Sequence, residues 1–248
     1  NTEMILRTAN GGSNWNYASL NTSVGLPRYI NSVDLIAARA IAVGNNGRIG
    51  RSTNAGVTWS FVSSGTTNMI YDVKFAAYDT LFAAGDNVLL KSVNGGLTWT
   101  TNTTFTGSFK SVAAKGNVFY AGNGSANTLL KSTNYGTSFS TINLPFTWLG
   151  ILYAVDKDTL LAAGNDGIYV SKTGGQYWEK YILPAYNQLK MFDFLNNQTG
   201  IGVGNGGYCI LTTNLSAAHT NPICSFNILR GGSTFCLGDS ITLVNTTA

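Results

Sequence analysis

Asp34, Asp72 and Asp193 fall in short alternating segments that recur along the chain, and they are its carboxylates best placed for chemistry. Glycoside hydrolysis needs two carboxyl groups a few ångströms apart, one acting as acid and the other as base or nucleophile. Asp34 and Asp193 share one register, and Lys74 and Tyr153 occupy the same position in other repeats. A mixed ring of this kind is more often a lining that pairs with itself or with water than a catalytic dyad. The arginine distribution argues strongly against a site that clasps a substrate carboxylate with arginines from separate repeats. The arginines are Arg7, Arg28, Arg39, Arg48, Arg51 and Arg230, with none between 52 and 229. The only histidine, His219, has no partner at ligand spacing, so neither a metal site nor a cofactor is expected. Cys209 sits in the apolar run GYCILTT and reads as a small hydrophobe. Cys224 and Cys236 flank eleven residues and can form a disulfide in an exported protein.

Aromatic rings offer binding chemistry instead. Trp148 is the one tryptophan outside the recurring motif described next, and it lies in LPFTWLG beside Phe146. Tyr29 and Tyr186 occupy corresponding joints of other repeats. Rings in such joints suit sugar faces or protein side chains. The competing use for them is to plug gaps between repeats. Phe146, Trp148, Tyr186, Tyr29, Asp34, Tyr153 and Asp193 are therefore the candidate binding residues.

The elements that must hold these residues are written as six copies of one motif. The copies start at Thr8, Ser52, Ser92, Ser132, Ser171 and Thr212, at intervals of 44, 40, 40, 39 and 41 residues. The best copies read Ser-x-Asn-x-Gly-x-Thr-Trp. Asn54, Asn94 and Asn134 can bond their own backbone two residues on, and Gly56, Gly96 and Gly136 tolerate positive φ, which are the needs of a tight hairpin. Trp59, Trp99 and Trp178, with Phe139 standing in once, place a large ring just past the turn. Ahead of each later box runs a small-residue strand ending at Gly44, Gly85, Gly122, Gly164 or Gly204, and ahead of that a short alternating strand. Each period thus supplies four strands, and the pattern predicts an all-β propeller of four-stranded antiparallel blades. Lys91 and Lys131 recur at one box position, so they form a ring by repetition and need not form a binding patch.

The boxes resemble the Asp-box (BNR-type) hairpins of sialidases, sortilin-like receptors and photosystem II assembly-factor-like propellers. Asn mostly replaces the Asp here, Thr173 replaces it in the fifth copy, and the sixth has Ser216 for Gly and His219 for Trp. With Leu-Pro joints at Leu26, Leu144 and Leu183, residues 4–218 look most like the assembly-factor branch. The resemblance implies that box residues are structural and lie away from any ligand site. Missing arginines argue against sialidase activity.

Box one has few residues before it, so the sequence holds five complete blades and a half blade, and six or seven blades are expected in the intact protein. Two readings of the missing strands stay open, sequence further upstream or the C-terminal residues. A propeller is assigned to 1–220. From Asn221 the period stops, and Phe235–Asn245 resembles the opening of a PKD or Ig-like module; the alternative is a pair of ring-closing strands. The break in period favours the module, and with it a larger multidomain chain. Charged residues are only 10% and Gly numbers 29, which suits an extracellular or cell-surface β protein. A net charge of +4 is too small and dispersed to indicate nucleic acid, and no apolar run reaches transmembrane length. The function expected is a non-enzymatic module that binds protein or glycan partners. The alternative is a fragment of a carbohydrate-active glycoside hydrolase.

Overall fold

The computed structural model describes residues 5–20, 29–102, 104–124, 126–146, 150–164, 166–181, 189–205, 208–212 and 227–228. Its 23 strands include five four-stranded antiparallel blades. Blade one is β4 (Ile30–Ile36), β5 (Arg39–Gly44), β6 (Arg48–Ser52) and β7 (Thr58–Ser63). Blade two is β8 (Ile70–Phe75), β9 (Leu81–Gly85), β10 (Val88–Ser92) and β11 (Thr100–Asn102). Blade three is β12 (Phe109–Lys115), β13 (Val118–Asn123), β14 (Thr128–Ser132) and β15 (Ser140–Asn143). Blade four is β16 (Ile151–Ala154), β17 (Leu160–Ala163), β18 (Ile168–Ser171) and β19 (Glu179–Tyr181). Blade five is β20 (Leu189–Phe194), β21 (Gly200–Gly204), β22 (Cys209–Thr212) and β23 (Asn227–Ile228). The strands β1 (Leu6–Arg7) and β2 (Asn16–Tyr17) form a pair of their own around box one. The expected β-propeller, with five complete blades and a half blade, is what the chain forms. One strand is additional: β3 (Ser19–Leu20) runs parallel to β7 along the outer edge of blade one.

The second strand of each blade explains the small-residue pattern. All five residues of β9 and all four of β17 are buried, because each sheet is covered on both faces by neighbouring blades. Strands buried on both faces lose the polar alternation and favour small apolar side chains. At Gly85 the room for a Cβ is already taken by the Met69 carbonyl and Ile70 Cα. Apolar clusters repeat between blades, as in Ile41, Val43 and Ile49 of blade one against Val73, Leu81, Ala83 and Leu90 of blade two.

Box hairpins join the third and fourth strands. The Ser52 hydroxyl donates to Asn54 Oδ1 (3.0 Å) and accepts from the Gly56 amide (2.9 Å), while Asn54 Oδ1 accepts from the Thr58 amide (2.9 Å). Ser92/Asn94 and Ser132/Asn134 repeat these bonds. Thr8 with Asn10 does so in box one, and Ser171 with Thr173 keeps the corresponding amide bonds. The Trp59, Trp99 and Trp178 rings turn back onto their own boxes, Trp59 Nε1 donating to the Gly56 carbonyl at 3.1 Å. A cation just ahead of the box then reaches the next blade: Arg51 Nε donates to the Gly95 carbonyl (2.7 Å) and Lys131 Nζ to that of Gly174 (3.2 Å). At Lys131 the repeated cation thus ties one blade to the next.

Candidate functional site

The five inner strands β4, β8, β12, β16 and β20 surround a central cavity of about 670 Å³. Its side chains form three levels along the channel. In the middle, one carboxylate spans three blades. Asp72 Oδ1 accepts from the Ser32 hydroxyl of blade one (2.7 Å), and Oδ2 accepts from the Ser111 hydroxyl and the Val112 amide of blade three (both 3.0 Å). Ser111 in turn accepts from the Leu152 amide of blade four at 3.0 Å. Asp72 is thereby committed to holding blades together.

The second level, towards the boxes, holds Asp34, Lys74, Tyr153 and Asp193. Asp34 Oδ2 accepts from the Phe75 amide (2.6 Å), and Lys74 Nζ lies 3.9 Å from Oδ1. Burial pushes the Asp34 carboxyl above the usual carboxylate range, against the pull of the Lys74 ammonium and the Phe75 amide. Burial and then the Asp193 carboxylate raise the Tyr153 phenol, with the Asp34 charge adding to the shift. Asp193 itself is exposed. Asp34, Tyr153 and Asp193 therefore line one wall system, as their shared register predicts.

The third level is at the joint-side mouth, and sequence reasoning missed it. Four inner strands carry a register shift at the same place, between Ile30/Ser32, Ile70/Asp72, Phe109/Ser111 and Leu189/Met191. A bulge re-aims the extra residue. The four extra residues, Asn31, Tyr71, Lys110 and Lys190, all line the cavity. Tyr71 and Ser108 hydroxyls donate to the Asp86 carboxylate (2.7 and 2.6 Å), and Lys110 Nζ lies 3.6 Å from that carboxylate and 3.5 Å above the Tyr71 ring. The Ser108 bond, ahead of the Tyr71 bond and the Lys110 charge, holds Asp86 below the usual carboxylate range despite some desolvation. Lys190 is exposed at the same mouth. The only sequence signal was a polar or long residue one step after each apolar strand start.

The aromatic candidates separate. Tyr29 is 68% exposed just before β4, and its carbonyl accepts from Asn45. Phe146 is 5% exposed and stacks on Tyr169 at 3.9 Å between ring centroids, edge-on to Trp178. Its ring is committed to the core between blades three and four, so it is not part of a partner surface. Trp148, Tyr186, Cys224 and Cys236 lie outside the described residues. Among the described residues no cluster of His, Cys, Asp or Glu could hold a metal ion, and no helix is long and apolar enough to cross a membrane.

No protein-family model matches the chain, and no curated protein is significantly similar to it. Solved structures do match its fold. YCF48 bound to D1 peptide is 14% identical with a TM-score of 0.66, covering 86% of this chain and 72% of that one. YCF48 from Cyanidioschyzon merolae is 19% identical with a TM-score of 0.64, covering 85% and 76%. An ancestral GH74 enzyme is 17% identical with a TM-score of 0.62, covering 83% of this chain but only 31% of the enzyme. At such identities the likeness shows the fold alone. The class is thus a β-propeller. Within it, the expected likeness to the assembly-factor branch is met, in fold, by YCF48.

Proposed function

We propose that this propeller is a non-enzymatic module that binds an extended segment of a partner protein across the joint-side mouth of its channel. The observation that carries the reading is the set of four bulges, which turn Asn31, Tyr71, Lys110 and Lys190 into one opening. Bulges persist where they re-aim a side chain for a purpose. Exposed Lys190 and Tyr29 would supply a cation and an aromatic face, and Asn31 and Lys110 further donors, a set that suits backbone carbonyls and acidic side chains. The YCF48 propeller bound to D1 peptide supports a protein partner over a glycan. The low charge and turn-rich composition support an extracellular or cell-surface setting. The hydrogen-bond pattern of the hairpins supports their reading as Asp-box elements.

The test is selection of peptides from a displayed random library against the whole protein, with a glycan array in parallel. Lys190→Glu and Tyr29→Ala should weaken the selected peptides at least 10-fold while leaving Tm unchanged. Unchanged peptide binding in both variants, or binding to glycans only, refutes the reading.

A glycoside-hydrolase reading is favoured by one observation, Asp34 with a raised pKa across Tyr153 from Asp193. A carboxyl raised above its usual range in one cavity with a second carboxyl is an arrangement such chemistry uses. Turnover of chromogenic glycosides that Asp34→Asn and Asp193→Asn each abolish would establish it; absence of turnover across a broad panel would remove it.

A further inference from the structure

We propose, resting on the peptide reading of the mouth, that it selects acidic segments. An aspartate or glutamate side chain of the partner sits in a notch between Lys110 and Lys190, and an apolar residue two positions away packs on Ile151 and Met191. The notch comes from the one inner strand that departs from the others. Four inner strands bulge at the mouth, and β16 of blade four does not. It enters its ladder at Ile151 straight after Gly150, whose amide donates to the Ala163 carbonyl at 3.0 Å. Gly150 precedes Ile151 as Lys110 precedes Ser111 and Lys190 precedes Met191, and all three line the cavity. β16 packs between β12 and β20, so a residue without a side chain has a lysine on either side. Two like charges facing one opening repel, and a carboxylate seated between them relieves that repulsion.

The hydrogen-bond valences around the notch decide the sign of the ligand. The carboxylates closest to it are already filled. Asp86 Oδ2 accepts from the Tyr71 hydroxyl and Oδ1 from the Ser108 hydroxyl. Deeper in the channel, Asp72 accepts two bonds on each oxygen. Lys110 Nζ, 3.6 Å from Asp86 Oδ1, is beyond hydrogen-bond length and keeps its N–H groups for another acceptor. Its contact with the Tyr71 ring at 3.5 Å fixes where it stands. Lys190 is exposed and adds three more donors. Among the described residues the mouth therefore lacks an acceptor, and a carboxylate supplies two oxygens for charge-assisted bonds from both lysines. A cationic segment would meet two ammonium groups and no carboxylate oxygen left to receive it.

Below the notch the channel changes character. At the register where blades one to three hold Ser32, Asp72 and Ser111, blades four and five hold Ile151 and Met191. Met191 is 61% exposed, and its unbranched chain adapts to whatever shape lies against it. In an extended segment, residues two apart point the same way and stand about 7 Å from each other. An acid held at the notch thus brings its second neighbour over the apolar half of the channel, where burial of an apolar side chain adds to the affinity.

Peptides selected from a displayed random library on the whole protein provide the test. They should share an aspartate or glutamate, with an apolar residue two positions away. Replacing that acid by its amide in a selected peptide should weaken binding to the unaltered protein about 10-fold or more, as loss of a charge-assisted pair requires. This comparison changes the peptide alone, so it does not depend on a protein variant folding. In Lys190→Glu the acid-to-amide penalty should disappear. A penalty of the same size in that variant places the acid elsewhere and overturns the notch. Selected peptides with no common acid, or with one whose amide binds equally well, overturn it too while leaving the peptide mouth in place. Failure to select any peptide removes both.

Discussion

The Asp72 carboxylate and the Ser111 hydroxyl lie 3.0 Å apart on the inner strands of neighbouring blades, and together they link four blades. Ser32 and Val112 complete the carboxylate, and Leu152 completes the hydroxyl. A channel-facing acid that accepts four hydrogen bonds, including one from its own neighbour Val73, has no lone pair oriented for chemistry. Its role is cohesion between sheets that share no backbone ladder.

Asp72→Ala should therefore destabilise the protein by about 2–3 kcal/mol, because it removes charge-assisted bonds, leaves the Val112 amide short of an acceptor and leaves the Ser111 hydroxyl only the longer bond to the Leu152 carbonyl. Asp193→Ala, at an exposed position in the same channel, should stay within about 0.5 kcal/mol. Urea unfolding measures both. Equal effects would mean that the inter-blade bonds contribute nothing beyond a surface charge.

The period was legible because each repeat must satisfy the same turn: Ser52, Ser92 and Ser132 have to cap the same amides, and Trp59 and Trp99 have to fold onto the same glycine carbonyl. Channel-facing Asp34, Tyr153 and Asp193 followed from that register. The bulged residues did not, because a bulge is a slip between two strands, and of Asn31, Tyr71, Lys110 and Lys190 only the two lysines share a side-chain type. Phe146 misled for a related reason. A ring in a joint can point to solvent or inward, and only the position of Tyr169 decides that it points inward. The tie at Asp72 was within reach, since Ser32 and Ser111 stand 40 and 39 residues from it, one period each way.

Gly65 and Gly96 have nearly the same left-handed backbone, with φ of 78° and 80°, and opposite surroundings. Nothing lies within 4 Å of a Cβ on Gly65, whereas one on Gly96 would overlap Ile41 Cδ1 of the preceding blade. Gly65→Ala should cost only the backbone strain, about 1 kcal/mol. Gly96→Ala should cost about 3 kcal/mol, the excess being overpacking between blades. Thermal melts of the two variants decide the matter, and matching losses would show that the glycines serve the turn alone.

Asp34 and Asp86 should respond to acid in opposite directions. Asp86 is held below the usual carboxylate range, so its contribution is present above the unfolded value and lost as pH falls through the folded one. Asp86→Asn should then be less stable than the parent at neutral pH, with the deficit closing in acid. Asp34 is raised, so its ionisation opposes folding, and the penalty sets in as pH rises through its folded value. Asp34→Asn should be more stable than the parent at neutral pH, with the gain disappearing below the unfolded carboxylate value. Stability curves from pH 3 to 8 provide the check, and deficits of the same sign for both variants would contradict it.

Asn54 performs the work that an aspartate would do in the same hairpin, and substitution can show it. Its Oδ1 accepts from the Thr58 amide and the Ser52 hydroxyl, while its Nδ2 donates to Thr58 Oγ1 at 2.8 Å. In Asn54→Asp the first two bonds remain, and the Thr58 hydroxyl can turn to donate to the second carboxylate oxygen. Stability near pH 7 should stay within about 1 kcal/mol of the parent, since bonds to a carboxylate are at least as strong as those they replace. Amide and hydroxyl donors would hold the new carboxyl low, so the variant alone should lose stability as pH falls through that value. Asn54→Ala removes the side-chain acceptor of the Thr58 amide and the Ser52 hydroxyl and should cost about 1–3 kcal/mol at all pH values. If Asn54→Asp proves as damaging as Asn54→Ala at pH 7, the amide hydrogens of Asn54 are indispensable, and the hairpin differs in kind from its aspartate-bearing counterparts.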